Sequence, residues 1–164
     1  MNDIRAVGFA PVYNEESRLL ILGSFPSVKS RAEGFYYGNP QNRFWRTVCS
    51  FFGDGVPKTI EEKREFLLRR GIALWDVIER CDIVGSADAS IKNEVVADIP
   101  LLFENTKISA VFCNGTKSYE LFSQKFPEFL PLATKLPSTS PANPRFRVET
   151  WHDALKSVFL HIDI

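Results

Sequence analysis

The sequence has few of the residues that form disulfides or metal sites. Its three cysteines, Cys49, Cys81 and Cys113, are odd in number, far apart and outside any Cys-x-x-Cys pair. We therefore expect buried free thiols in a reduced, cytoplasmic protein. The two histidines, His152 and His161, have no metal-ligand spacing to cysteines or carboxylates. For this reason no zinc site is expected.

Other missing patterns exclude further classes of protein. No apolar run approaches the roughly 20 residues that span a bilayer. The charged segment 1–5 is not followed by an apolar one, so we expect neither a membrane anchor nor a signal peptide. The absence of Gly-x-x-x-x-Gly-Lys-Ser/Thr and Gly-x-Gly-x-x-Gly motifs disfavours nucleotide hydrolysis and dinucleotide binding. We predict no cofactor.

What is present suits one globular domain over residues 1–164, with 45% hydrophobic residues, 24% charged residues and a net charge of zero. The charges are unevenly distributed. Segment 17–53 has five bases and one acid, segment 54–104 has seven bases and eleven acids, and segment 129–148 has three bases and no acid. Such polarity would steer a polyanion to one face, although imbalances of this size also arise by chance.

The apolar pattern predicts strands and helices in alternation. Leu19–Gly23 is a continuous apolar run that ends at glycine, as in a strand buried on both faces. Thr59 and Glu62 have the spacing of a capping box, and Gly71 fits the end of the same helix. Strands are predicted at 19–23, 72–76, 108–113 and 129–133, helices at 40–52, 59–70, 99–104, 116–126 and 150–160, and loops at 24–39, 79–93 and 135–144.

This alternation predicts an α/β fold, a three-layer α/β/α sandwich with a central, mainly parallel four-stranded sheet. Ligands of such sheets bind beyond the carboxyl ends of the strands. Three segments of unusual composition follow predicted strands: 23–39, Asp76 and 137–145. A functional site is therefore expected at this edge.

The same segments carry a resemblance to a known family. Gly23-Ser-Phe-Pro-Ser27, then Asp76, then Leu136-Pro-Ser-Thr-Ser-Pro-Ala-Asn143 resemble, in order and spacing, the motifs of the uracil-DNA glycosylase superfamily. The stretches 34–45 (Gly-Phe-Tyr-Tyr-Gly-Asn-Pro-Gln-Asn-Arg-Phe-Trp) and 74–77 are similar to its hypoxanthine-DNA (deoxyinosine) glycosylase branch. The resemblance implies a metal-free, monofunctional enzyme that hydrolyses the N-glycosidic bond of a deaminated base in DNA, hypoxanthine above all, in base excision repair.

The resemblance also implies a catalytic residue. Most of the superfamily positions the attacking water with an Asp or Asn of the first motif, where this chain has Phe25. The working Asn of the hypoxanthine branch maps to Asn39. A neutral carboxamide can align water against an oxocarbenium-like sugar without being a strong base. Asn39 before Pro40 is also typical of a helix start, and the two roles are compatible.

Six residues are expected to bind the base: Ser24, Phe25, Tyr36, Tyr37, Asp76 and Asn114. Uracil-reading relatives have an Asn where this chain has Asp76. An ionised carboxylate only accepts hydrogen bonds, which suits the N1–H of hypoxanthine. The alternatives are a turn-capping Asp76, aromatic rings tucked into the core, and a plain Asn-Gly turn at Asn114.

Five residues are expected to contact DNA: Arg43, Ser138, Ser140, Asn143 and Arg145. Hydroxyls and backbone amides suit phosphates, and Asn143 or Arg145 would fill the vacated space because Ala142 is small. The alternatives are a solvated charge for Arg43 and a turn-rich surface loop for the rest. The matched motifs contain no lysine for Schiff-base lyase chemistry.

The sequence is also compatible with three other functions. They are excision of uracil or mismatched thymine, a non-catalytic nucleic-acid-binding domain of the same fold, and a small-molecule enzyme using the same cleft. The expected partner is DNA containing a deaminated base, with no membrane involved and the protein acting as a monomer.

Overall fold

Four parallel strands form the centre of the molecule in the computed structural model, which describes residues 4–160. The strands of this range are β1 (Ile4–Val7), β2 (Leu19–Gly23), β3 (Ile72–Asp76), β4 (Ile78–Ile83), β5 (Lys92–Val96), β6 (Ala110–Asn114) and β7 (Ala133–Leu136). The central sheet has the order β3-β2-β6-β7, and each neighbouring pair is parallel. The expectation of a mainly parallel four-stranded sheet is therefore confirmed.

Helices cover both faces of this sheet. They are α1 (Val28–Glu33), α2 (Phe44–Phe51), α3 (Ile60–Arg70), α4 (Pro100–Glu104), α5 (Thr116–Lys125) and α6 (Val148–Phe159), with short 3₁₀ helices at Asp88–Ser90 and Pro127–Leu132. The capping of α3 is as predicted, since the Thr59 hydroxyl accepts from the Glu62 amide and Gly71 ends the helix in the left-handed conformation. None of the described helices is long and apolar enough to cross a membrane.

Alternation along β2 explains the three layers. Leu19 and Ile21 belong to one buried cluster, together with side chains of α2, α3 and α6. Leu20 and Leu22 belong to a second cluster, together with side chains of α4 and α5. Because neighbouring strand residues point to opposite faces, an all-apolar strand must be covered on both sides. The predicted α/β/α sandwich follows from this pattern.

A second, antiparallel sheet of order β1-β4-β5 was missed by the sequence analysis. Its strands include residues 79–83 and 92–93 of segment 79–93, which was predicted as a loop. Ile78, Cys81 and Ile83 of β4 are buried while Glu79 and Arg80 are exposed. The pairing of β4 with β5 shifts register at two points. Such irregularity breaks the simple alternation by which strands are recognised.

The helix predicted from Pro40 begins later, at Phe44. Residues 39–42 form a turn in which the Asn42 amide donates to the Asn39 carbonyl over 2.9 Å. The side chain of Asn42 accepts from the Phe44 amide over 2.9 Å. The side chain of Asn42, and not that of Asn39, therefore bonds the first amide of α2.

Three other boundaries were also wrong. Segment 24–39 contains α1, whose first turn is capped by the Ser27 hydroxyl. The strand predicted at 129–133 lies at 133–136 instead, as β7. Pro127 and Pro131 hold the segment before it in a 3₁₀ helix. The last helix begins at Val148 rather than at Thr150. His161 lies outside the described residues.

Candidate active site

A cavity of about 320 Å³ opens at the carboxyl edge of the parallel sheet. It brings together residues that follow β2, β3, β6 and β7, as expected for this sheet type. All of the predicted catalytic and base-binding residues line it, as do two predicted DNA contacts: Ser24, Phe25, Tyr36, Tyr37, Asn39, Asp76, Asn114, Ser138 and Ser140.

The inner end of the cavity lies where β2 and β3 finish. Gly23 is paired in register with Asp76. A Cβ atom at position 23 would lie 2.5 Å from Oδ1 of Asp76 and 3.2 Å from Oη of Tyr37. Only glycine therefore lets the carboxylate and the phenol approach this strand end together.

Asp76 is 4% exposed, and its Oδ2 has no hydrogen-bond partner among the described protein groups. Burial and, after it, the negative charge of Asp88 raise the pKa of Asp76 to about 7, while the backbone of Gly23 acts in the opposite direction. The alternative of a turn-capping aspartate leaves this free oxygen unexplained. At neutral pH the carboxyl group is poised between its two protonation states.

The two neighbouring tyrosines differ in what their hydroxyls contact. The Tyr36 hydroxyl donates to the Ala10 carbonyl over 2.9 Å, and this side chain is 2% exposed. Tyr37 has a positive φ of 54°, and its ring stacks on Phe44 with 4.2 Å between centroids. The Tyr37 hydroxyl is buried without a hydrogen-bond partner in the described range. Tyr36 is thus part of the wall, whereas Tyr37 presents an unused polar atom.

Asn39 is half-buried at the cavity. Its Oδ1 accepts from the Gln41 amide over 2.9 Å, which fixes the side chain to its own turn. A carbonyl oxygen has two lone pairs, so Oδ1 can accept one more hydrogen bond. The turn therefore holds a neutral acceptor rigidly beside the cavity.

One wall comes from a segment that the sequence analysis did not associate with the site. The connection between β4 and β5 places Ser86 and Asp88 against the cavity. Ser24 donates from its hydroxyl to Oδ1 of Asp88 over 3.0 Å, and Ser86 accepts from the Val28 amide over 2.9 Å. No sequence signal marked Asp88, because it reaches the cavity from the antiparallel sheet.

The remaining wall is segment 137–145, which we call the Pro-Ser loop. Asn114, at the end of β6, uses both polar atoms of its side chain on Thr139, over 3.0 Å each. Arg43 donates to the carbonyls of Ser140 and Asn143 over 2.6 and 2.8 Å. Asn114 and Arg43 therefore hold the loop in place. The base contact of Asn114 and the phosphate contact of Arg43 stay predictions.

The Pro-Ser loop is also bonded to itself. Hydroxyls of Ser138 and Ser140 accept from the amides of Ser140 and Ala142, each over 3.1 Å. Asn143 and Arg145 lie outside the cavity, in an adjoining groove that also contains Lys135. Arg145 is exposed there. Ser138 and Ser140 line both the cavity and this groove, whereas Arg43 lines neither of them.

No group of three or more His, Cys, Asp or Glu side chains within residues 4–160 is arranged to hold a metal ion. The three cysteines are free and buried, as expected. His152 contacts the Thr47 carbonyl over 3.0 Å and lies away from the cavity lining, which fits the packing role expected of it.

Comparison of this sequence with known proteins points to one family. The family model of the uracil DNA glycosylase superfamily matches residues 10–155. A protein of Methanosarcina acetivorans named hypoxanthine DNA glycosylase is 37% identical over 160 residues, which are 94% of this chain and 98% of that protein. Its namesake in Methanosarcina barkeri is 36% identical over 155 residues, with 91% and 97% covered.

A solved structure agrees with these relatives. The solution NMR structure of a candidate uracil DNA glycosylase from Methanosarcina acetivorans matches with a TM-score of 0.83 and 34% identity, over 94% of this chain and 99% of that one. The sequence matches and the structural match thus cover nearly the full length of each relative. The chain therefore belongs to the uracil DNA glycosylase superfamily.

Proposed function

We propose that this protein is a monofunctional DNA glycosylase that hydrolyses the N-glycosidic bond of a deaminated base, with hypoxanthine in deoxyinosine as its main substrate. The observation that carries the proposal is a cavity with a buried, unpartnered Asp76 at its inner end and a fixed Asn39 in its wall. The names of the two Methanosarcina relatives support the choice of hypoxanthine.

The reaction requires the target nucleotide to leave the helix. A base inside a duplex is out of reach, so it must be extruded into a pocket and read along its polar edge. The cavity of about 320 Å³ has Phe25 and Tyr36 in its wall and Asp76 at its inner end. This arrangement suits a flat heterocycle whose polar edge points inward.

Asn39 would hold the attacking water. Breaking the glycosidic bond leaves an oxocarbenium-like sugar, which is electrophilic enough to react with a positioned water. Oδ1 of Asn39 keeps its orientation through the Gln41 amide and has a second lone pair for a water proton. The amide contributes alignment of the water rather than strong basicity.

The Pro-Ser loop would grip the DNA backbone on either side of the extruded nucleotide. Ser138 and Ser140 accept hydrogen bonds from loop amides, which leaves their hydroxyl protons for phosphate oxygens. Arg145 adds a positive charge in the adjoining groove. Contacts of this kind position a duplex without reading its sequence. Asn143 or Arg145 would fill the vacated stack.

The first test uses four labelled duplexes, each containing a single hypoxanthine, uracil, xanthine or mismatched thymine. We expect wild-type protein in EDTA to produce alkali-sensitive sites at hypoxanthine, and Asn39→Ala to lower the single-turnover rate at least about 100-fold, the scale of losing a positioned group. Asn42→Ala is the matched control, because Asn42 lines the same cavity but its Oδ1 accepts from the first amide of α2. It should lower stability more than the rate.

The other outcomes of this test are equally informative. Preferred cleavage at uracil, the substrate suggested by the NMR relative, would keep the enzyme class and reject the assignment of hypoxanthine. Binding of all four duplexes without cleavage would instead indicate a non-catalytic nucleic-acid-binding domain. Full activity of Asn39→Ala would remove Asn39 from the mechanism.

We further propose that the chain acts as a monomeric single domain in the cytoplasm. Residues of both sheets share one buried cluster, which supports a single domain. All of the predicted catalytic and base-binding residues line one cavity of this chain, so the proposed reaction needs no residue of a second copy. The three free, buried cysteines suit a reducing compartment. Sedimentation analysis of the purified protein, alone and with DNA, tests the oligomeric state.

A further inference from the structure

Two polar atoms at the inner end of the cavity have no protein hydrogen-bond partner within residues 4–160: Oη of Tyr37 and Oδ2 of Asp76. Buried polar groups are nearly always paired, so each exception calls for a physical reason. Both groups converge on Gly23, whose missing side chain leaves room for them. Two exceptions on side chains that meet at Gly23 and line the same cavity point to a ligand that supplies both partners.

We propose that Tyr37 and Asp76 act together as a donor–acceptor pair that reads the amide edge of the extruded base. The phenol would donate to a ring carbonyl oxygen, and the carboxylate would accept from the adjacent ring N–H. This inference rests on the proposed glycosylase function and adds Tyr37 as a residue that determines specificity through its hydroxyl rather than by stacking.

Tyr37 is held in a way that suits this role. Its ring stacks on Phe44 with an angle of 21° between the planes, so one face is already covered. Burial, and after it the charge of Asp76, raises the pKa of Tyr37 well above the ordinary range, whereas the nearby Asn114 side chain acts in the opposite direction. The hydroxyl therefore stays protonated and remains a donor at every physiological pH.

Such a pair distinguishes a deaminated purine from its parent. Hypoxanthine presents N1–H beside the O6 carbonyl, whereas adenine presents a bare N1 beside an amino group. With adenine in the cavity, the Asp76 carboxylate would face the lone pair of N1. It would then have no hydrogen-bond donor as a partner. Sites built on hydrogen bonds reject analogues that leave buried groups unpaired. Adenine, the parent base of hypoxanthine, would thereby be rejected.

The deciding experiment compares Tyr37→Phe with Tyr36→Phe on two duplexes, one with hypoxanthine and one with unsubstituted purine, which lacks both N1–H and O6. Tyr36 is the matched control because its hydroxyl is bound to the Ala10 carbonyl. We expect Tyr37→Phe to lower single-turnover excision of hypoxanthine about 10- to 100-fold, as for a lost buried hydrogen bond, and to leave excision of purine nearly unchanged. Tyr36→Phe should not separate the two substrates.

Asp76→Asn provides the complementary variant. A carboxamide can donate to the bare N1 of adenine, so this variant should gain affinity for adenine relative to hypoxanthine.

Equal losses on both duplexes in Tyr37→Phe, or no loss on hypoxanthine, would overturn the proposal even though the wild type remained an active glycosylase.

If the wild type excised neither base, the proposed glycosylase function would be rejected. A binding measurement would still test the inference about Tyr37 and Asp76. Free hypoxanthine and adenine are then titrated into wild type and Tyr37→Phe, followed by NMR chemical shifts. A preference for hypoxanthine that Tyr37→Phe loses would support the pair. Equal binding of both bases, or binding of neither, would reject it.

Discussion

Asp76 is a carboxyl group whose protonation state decides what it can recognise. When ionised it only accepts hydrogen bonds, and when protonated it can also donate one. The titratable groups that face it are Asp88, which raises its pKa by charge repulsion, and Tyr36 and Tyr37, whose own pKa values it raises. Both tyrosines stay neutral, so Asp88 is the neighbour that tunes Asp76.

This balance predicts a pH dependence of excision. Because the pKa of Asp76 is raised to about 7, protonation at lower pH removes the acceptor for N1–H. We expect kcat/KM for hypoxanthine to rise about tenfold per pH unit from pH 5 toward 7 and to level off above, as for one essential ionisation. Single-turnover rates across pH 5–9 measure this.

Two variants check that Asp76 is the group responsible. Asp76→Asn should flatten the pH profile. Asp88→Asn should move its midpoint to lower pH, because it removes the negative charge that raises the Asp76 pKa. Activity that falls as the pH rises through 7 would mean that Asp76 acts as a proton donor, contrary to the proposed reading of N1–H.

At the scale of elements, Arg43 links the start of α2 to the Pro-Ser loop. Its guanidinium donates to the Ser140 and Asn143 carbonyls. The Cζ atom of Arg43 also lies 4.7 Å from the centroid of the Phe146 ring. We expect Arg43→Gln to loosen the loop, to speed amide hydrogen exchange in residues 137–145 and to reduce excision about tenfold. Hydrogen bonds of charged donors to carbonyls are worth roughly 1.5–3 kcal/mol.

Arg46→Gln is the control for that prediction. Arg46 lies on the same helix but is exposed, and no hydrogen bond of its side chain is found within the described range. Equal hydrogen exchange in the two variants would contradict a role of Arg43 in holding the loop. A weakened affinity for DNA with unchanged exchange would instead support the phosphate contact predicted from the sequence.

The elements that position the site were predictable where the local signal was strong. The apolar run 19–23 ends at a glycine, and Asp76 closes a short buried strand, so both strand ends were placed correctly. The antiparallel sheet was missed, because β4 has two neighbouring exposed residues, Glu79 and Arg80, where its register shifts. Only tertiary pairing reveals that strand.

The candidate site was likewise predictable where the local sequence signal was strong, and not where tertiary contacts decide. Residues after the strand ends converge by topology, so Ser24, Asp76 and Ser138 line one cavity as expected. Asp88 was missed because it arrives through the second sheet. The start of α2 was misplaced because two asparagines, Asn39 and Asn42, both offer capping chemistry, and only the folded turn determines which of them bonds to the Phe44 amide.

At the scale of the whole molecule, the net charge of zero hides a directional arrangement. Arg145 and Lys135 lie in the groove beside the cavity mouth, which also contains one acid, Asp88. Lys107, by contrast, precedes β6, at the opposite edge of the sheet, and pairs with Glu16 over 2.8 Å. A DNA duplex bound over the cavity would contact Arg145 and Lys135 and would not reach Lys107.

This arrangement predicts the salt dependence of DNA binding. Each phosphate contact contributes about 0.9 to the slope of log K against log salt. Arg145→Ala should therefore reduce the slope by about 1 in fluorescence anisotropy titrations. Lys107→Ala should leave the slope unchanged. If the two variants behave alike, the groove does not contact the DNA backbone.

The bonding of the Pro-Ser loop to Asn114, Arg43 and itself has a further consequence for kinetics. A loop that is already organised has little conformational freedom left to lose when it meets a ligand. The free-energy barrier to forming the reactive complex then resides mainly in the nucleic acid, which has to unpair and unstack one nucleotide. The opposing base should accordingly control the rate: the weaker the pairing partner of the lesion, the faster the protein should act on it.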